Sequence, residues 1–229
     1  MERKRTYRIL YLVLAVILCS LAMALVDGVI KPQYLAKSAI KVVLFLLIPA
    51  IYFLVFKEER EALRQLFRPQ RRALLLSLLA GLALYGIILG GYFLLRNSFD
   101  FSGIAEKLTE DTGVRADNFL WGALYISFAN SLLEEIFFRG FAYMILKRAV
   151  SHRFAFIFSA LAFALYHSGM TVGYYHIGIF ALVLLALFAA GGFFNLLCER
   201  SRSLYASWLV HMFANFAINT VGFILFGVL

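Results

Sequence analysis

Three stretches of an otherwise greasy chain carry side chains that can take up, hold or release protons. The first is SLLEEIFFRG (131–140), with Glu134, Glu135 and Arg139. The second is FALYHSG (163–169), where His167 follows Phe163 by one turn and Ser159 lies a further turn back. The third is SWLVHMFANFAIN (207–219), in which Ser207, His211, Asn215 and Asn219 recur at every fourth position and so line one face of a helix. Glu135 and Arg139 also stand four apart, and an ion pair accounts for both without chemistry. Glu134 does not fit that account. At 100° per residue it points about 100° away from Glu135 and about 140° away from Arg139. It shares a stripe with Ser127, Asn130 and Phe138. The helix is thus expected to have one charge-paired flank and one polar stripe carrying an unpaired acid. A single membrane asparagine is commonly packing glue, but His211 one turn from Asn215, opposite two other polar stripes, is harder to read that way.

An acid, two imidazoles and an amide in low-dielectric surroundings suit hydrolysis. A carboxylate can take a proton from water, and imidazole and carboxamide donors can steady an oxyanion. No Ser or Cys has an evident partnered base and there is no G-x-S-x-G, which argues against a covalent nucleophile. H-E-x-x-H is absent too. If a Zn²⁺ ion binds, its ligands would be His167, His211 and Glu134. Asparagine is an uncommon zinc ligand, so a metal is open rather than indicated, and no cofactor is called for. Phosphate-binding loops and nucleic-acid modules are missing.

The elements that hold these groups follow from composition. Of 229 residues 63% are hydrophobic and 15% charged, and the mean hydropathy is +0.85. A soluble chain of this size cannot hide so much apolar surface, so lipid must be its solvent. Cys19 and Cys198 both sit in apolar runs, which offers no disulfide framework. The net charge of +9 marks membrane edges rather than nucleic-acid binding. Apolar runs at Ile9–Val26, Tyr34–Phe56, Ala73–Leu95, Phe119–Leu146, Arg153–His167, His176–Leu197 and Leu204–Phe226 predict an all-α, polytopic transmembrane helical bundle of about seven spans (six to eight). Ala22-Met23-Ala24 resembles a signal cleavage site, but the run is long for a signal peptide and further spans follow. Pro49 should kink the second span. KEEREALRQLFRPQRR (57–72) reads as an amphipathic surface helix. With the N-terminus inside, most of the 22 Lys and Arg residues fall on inner segments, which supports N-in. Residues 1–118 then form N-terminal spans with an inner linker (57–72) and an outer polar loop (96–118). Residues 119–229 form a catalytic core.

Counted from the inner basic boundary at 1.5 Å per residue, Glu134, His167 and Asn215 all lie roughly 20 Å deep and His211 roughly 14 Å. Each ionisable group costs at least about 2.5–3.5 kcal/mol at a helix centre, so three helices presenting such groups near one level is informative. Other residues read blandly. Lys37 and Lys41 are expected to snorkel, or else the second helix starts later than drawn. His152 reads as solvated, His176 and Trp121 as interfacial, and Trp208 as a packing residue. The 24 phenylalanines read as lipid-facing packing. Gly90-Gly91 and Gly191-Gly192 read as close helix contacts.

Glu134-Glu135-x-x-x-Arg139, Phe163-x-x-x-His167 and His211-x-x-x-Asn215, in this order on three hydrophobic segments, resemble the three motifs of the CAAX-protease and bacteriocin-processing (CPBP/Abi, type II CAAX prenyl endopeptidase-like) intramembrane proteases. The resemblance covers roughly Phe119–Asn219, with no departure at the motif positions. It implies an intramembrane endopeptidase in which Glu134 is the general base, activating water together with His167. His211 and Asn215 would form the oxyanion site. Glu135 and Arg139 would fix the motif helix, with Phe163 supporting. Implied partners are membrane lipid and a peptide or membrane-protein substrate: a prenylated protein, a pheromone, a bacteriocin leader or an anchored regulator. The short chain suits a prokaryotic cell membrane. A non-enzymatic membrane protein, such as an immunity factor, a scaffold or a proton-coupled transporter, stays open as the alternative.

Overall fold

In lipid each backbone polar group must be satisfied within its own segment, which leaves helices as the natural outcome for this composition. The computed structural model describes residues 2–98, 101, 103–171 and 177–229. Among them it has nine helices and no strand. They are α1 (Glu2–Ile30), α2 (Tyr34–Val55), α3 (Arg60–Leu66), α4 (Arg71–Leu95), α5 (Ile104–Thr112), α6 (119–148), α7 (His152–Tyr166), α8 (Ile177–Ser201) and α9 (Leu204–Leu225). A single further turn follows at Ser168–Thr171. His176 lies outside the described residues.

Five helices, α1, α2, α4, α8 and α9, are long and apolar enough to cross a membrane. The chain is an all-α, multi-pass membrane protein with about five such spans, not the seven expected. Asn130, Glu134, Glu135 and Arg139 interrupt the apolar run of α6. Helix α7 has 15 residues, about 22 Å, against a hydrocarbon core of about 30 Å. The linker 57–72 is also shorter as a helix than its pattern suggests. A tight turn at Lys57–Glu59 leads into α3, that helix ends at Leu66 ahead of Pro69, and Arg71 and Arg72 already belong to α4.

Helix α6 is the central rod. From Leu133 to Leu146 nearly every side chain is buried, whereas α4 buries only Ser77 and Gly81. Phenylalanine builds this interior, contrary to the lipid-facing expectation: Phe45, Phe137, Phe138, Phe141, Phe163 and Phe194 are all buried. Water-driven burial is weak in lipid, so flat rings that stack and meet edge-on supply contact instead. Phe45 of α2 stacks on Phe137 with centroids 4.0 Å apart. Helix α1 contributes Leu12, Val16 and Met23 to the same core.

Glycine works at only one of the two pairs. A Cβ on Gly191 would come within 3.1 Å of the Ala160 Cα, so its absence lets α8 lie close against α7. Gly90 and Gly91 meet nothing within 4 Å. Four stretches are π-helical, at Val26–Ile30, Val43–Leu47, Ile126–Asn130 and Glu135–Ile145. The second stands just before Pro49, where a wider turn accommodates the missing amide donor.

Candidate functional site

Two of those wide turns flank Ser131–Glu134 on α6, and the polar side chains gather there. Glu134 is 1% exposed. Its two oxygens have different surroundings. Oε1 accepts from Lys41 Nζ (2.9 Å), Asn130 Nδ2 (2.9 Å) and Tyr166 OH (3.2 Å). Oε2 is buried with no hydrogen-bond partner among the described residues. It lies 3.7 Å from His167 Nε2 and 3.8 Å from His211 Nε2.

Both imidazoles are held from behind. His167 Nδ1 is 2.7 Å from the Phe163 carbonyl oxygen, and His211 Nδ1 is 3.0 Å from Glu135 Oε1. A carbonyl or carboxylate oxygen only accepts, so Nδ1 of each ring carries a proton and donates it there. The Phe163 ring sits 4.4 Å from His167 and 5.9 Å from His211. Phe194 stacks on His211 at 5.0 Å. Glu134 Oε2 thus faces both Nε2 atoms across gaps too long for a direct bond. A water, which both donates and accepts, suits such a gap.

A zinc ion fits this set less well. Bonds of about 2.0–2.2 Å to nitrogen and carboxylate oxygen place tetrahedral ligands about 3.3–3.5 Å apart, closer than the spacings here. The Lys41 ammonium, 2.9 Å from the same carboxylate, adds repulsion toward a cation. Among the described residues no group of three or more His, Cys, Asp or Glu side chains is set to hold a metal ion.

Glu135 turns away from Glu134 and pairs with Arg139, Oε1 to Nη1 at 3.4 Å, with both side chains wholly buried. The guanidinium lies over Phe163 at 4.1 Å and Phe194 at 4.9 Å. The polar face of α9 docks on α6. The Asn215 amide donates to the Ile126 carbonyl at 3.1 Å, and Asn219 donates to the Ala123 carbonyl at 3.2 Å and to Ser127 Oγ at 3.0 Å. The structure thus brings Glu134, His167 and His211 together, with Phe163, Glu135 and Arg139 around them. Asn215 stands one turn from His211 and donates to the backbone of α6 rather than to the other three.

Several expectations need correction. Glu134 is not an unpaired acid, because Lys41 meets it. Lys41 does not snorkel, being 4% exposed. Lys37, one turn away, is bound to buried Asp27 at 2.7 Å. Lys41 is held away from water, and half-buried Lys37 is turned inward, because each finds a buried carboxylate within the bundle. His152 is exposed as expected, yet its Nε2 is 3.1 Å from both Glu199 Oε2 and Tyr143 OH. Lys41 and Tyr166 were missed as partners of Glu134. The available signal was a lysine deep in an apolar run, which demands an acid partner.

Residues 116–217 match the model of the type II CAAX prenyl endopeptidase Rce1-like family. The segment contains Glu134, His167, His211 and Asn215; Lys41 lies outside it. No curated protein and no solved structure matches the chain.

Proposed function

We propose, from the Rce1-like CAAX prenyl endopeptidase domain that residues 116–217 form, that this multi-pass protein is an intramembrane endopeptidase. The single observation that carries the reading is the buried, unpartnered Oε2 of Glu134, facing Nε2 of His167 and of His211 at 3.7 and 3.8 Å. A water held beside Glu134 Oε2 gives it a proton as the water oxygen attacks a peptide carbonyl, with His167 accepting the second hydrogen bond. The carbonyl oxygen becomes an oxyanion, to which the second amide hydrogen of Asn215 and, when protonated, Nε2 of His211 can donate. Collapse of the tetrahedral intermediate breaks the C–N bond, and the proton held by Glu134 passes to the leaving amine. Glu135 orients His211 through Nδ1, and Arg139 holds Glu135. Substrates are membrane-associated or prenylated peptides and proteins, cut near the inner face of a prokaryotic cell membrane by an N-in chain. Residues 119–229 are the catalytic core, and 1–118 supply the N-terminal spans.

The test is cleavage of a quenched fluorescent CAAX-type peptide by purified protein in detergent. Glu134→Gln should abolish cleavage by the folded protein, although its unfolding temperature falls because the buried Lys41 ammonium loses its counter-charge. Full activity in that variant overturns the assignment.

A further inference from the structure

Helix α2 lies outside the segment that carries the family motifs, yet it points a charged side chain into their centre. Along one face it presents Lys37, Lys41 and Phe45, each four residues from the next. Lys37 meets Asp27, Lys41 meets Glu134, and Phe45 stacks on Phe137. Phe45 also meets Phe138 and Tyr166 edge-on or tilted, at 5.6 and 5.5 Å. The register of α2 is therefore pinned one turn beyond Lys41 by rings of α6 and α7 and one turn before it by an ion pair to α1.

Within that frame Lys41 Nζ donates to Asn130 Oδ1 at 2.6 Å and to Glu134 Oε1 at 2.9 Å. It also lies 4.9 Å from the Tyr166 ring centroid. Because Lys41 takes the Asn130 oxygen, the Asn130 nitrogen must turn to Glu134, where it donates at 2.9 Å. Tyr166 OH adds the third donor. All three reach the same carboxylate oxygen. A lysine needed only as a counter-charge has no reason to arrange its neighbours so unevenly. Here one oxygen is saturated and the other is left bare toward the imidazoles.

We infer that Lys41 is a positioning residue of the reaction: with Asn130 and Tyr166 it fixes Oε1 of Glu134 and so aims Oε2 at the water shared with His167 and His211. The inference rests on the proteolytic reading above. It also makes the segment 116–217 chemically incomplete without α2.

The experiment uses the full chain in detergent and the same quenched peptide, with kcat and KM taken per unit of folded, monodisperse protein. Lys41→Met should lower kcat about 10- to 100-fold, the range set by one charge-assisted hydrogen bond, with KM little changed. Lys41→Arg should recover much of the loss, because it restores a charged donor. Tyr166→Phe, which removes only the hydroxyl, should lower kcat severalfold. A folded Lys41→Met protein with wild-type kcat overturns the inference. If Lys41→Met does not fold, wild-type kcat in both Lys41→Gln and Tyr166→Phe overturns it equally. Glu134→Gln runs alongside. If that variant cleaves, or the wild type does not, the proteolytic reading itself falls. If Glu134→Gln is dead while Lys41→Met is fully active, only the role of Lys41 falls.

Discussion

Replacing Glu135 with glutamine should cost far more stability than a conservative change suggests. The reason is Arg139. Its side chain is wholly buried, and none of its three guanidinium nitrogens has a hydrogen-bond partner among the described residues. What balances its charge is Glu135 at 3.4 Å, together with the faces of Phe163 and Phe194 at 4.1 and 4.9 Å. Ring faces contribute about 0.5–2 kcal/mol each, too little to hold a desolvated guanidinium alone. Breaking a buried pair from one side costs about 3–5 kcal/mol. At about 2–4 °C per kcal/mol for a chain of this size, unfolding should fall by about 6–20 °C. Trp121 and Trp208 allow the transition to be followed by intrinsic fluorescence in detergent. Glutamine keeps an oxygen that can accept from His211 Nδ1, so kcat of the folded fraction should fall much less than in Glu134→Gln. The double variant Glu135→Gln with Arg139→Gln removes both charges and should regain most of the lost temperature. An unchanged unfolding temperature in the single variant, or a double variant no better than the single, would refute this reasoning.

Phe163→Leu removes the ring that lies against Arg139, His167 and His211; it should cost about 1–3 kcal/mol and lower kcat, both read on the same purified protein. Glu59, 2% exposed and bonded to Arg8 and to Arg148 at 2.8 Å, should lose about 2–3 kcal/mol as Glu59→Gln, seen as an earlier unfolding transition. Its exposed neighbour Glu58 is a contrast. The Lys4 ammonium donates to Glu58 and lowers its carboxyl below the ordinary value, so any stabilisation is present above the ordinary range and lost only as pH falls through the lowered value. Glu58→Gln should therefore leave the unfolding temperature unchanged within error near neutral pH. Finally, peptide cleavage should survive EDTA and phenanthroline. Loss that zinc alone restores would show that the acceptors around Glu134 Oε2 hold a metal after all.

The sequence made part of this site visible because part of it is local. Residues four apart share a helix face, and that rule places Asn130 against Glu134, Phe163 under His167 and Glu135 beside Arg139. Depth counting places α6, α7 and α9 so that their polar groups can meet. It has no access to pairs between distant helices. Lys41 and Glu134 are 93 positions apart, as are many pairs that never touch, and Glu135 and His211 are 76 apart. The count of spans failed for a related reason. Runs drawn by overall greasiness passed over the four polar residues inside α6 and carried α7 as a full span although its helix ends after 15 residues. The π-helical stretches were also hidden, since face angles were taken at a uniform α-helical pitch.

Two adjacent acids at membrane depth are tolerable only because they face different cations. Glu134 turns to Lys41 on α2, and Glu135 turns to Arg139 on its own helix, with the His211 ring between the two acids. Fixed anions and cations are thus matched one to one before any substrate arrives. In the proposed reaction a proton moving from water to Glu134 would leave that match intact overall, because the charge it removes from the carboxylate would appear on the former carbonyl oxygen as the water oxygen bonds to carbon. That oxyanion would form while the Lys41 ammonium stays in place. On this view the cations do not merely make the acids foldable. They hold the field steady while negative charge shifts across the gap, which is the form of electrostatic help that needs no rearrangement at the moment of reaction.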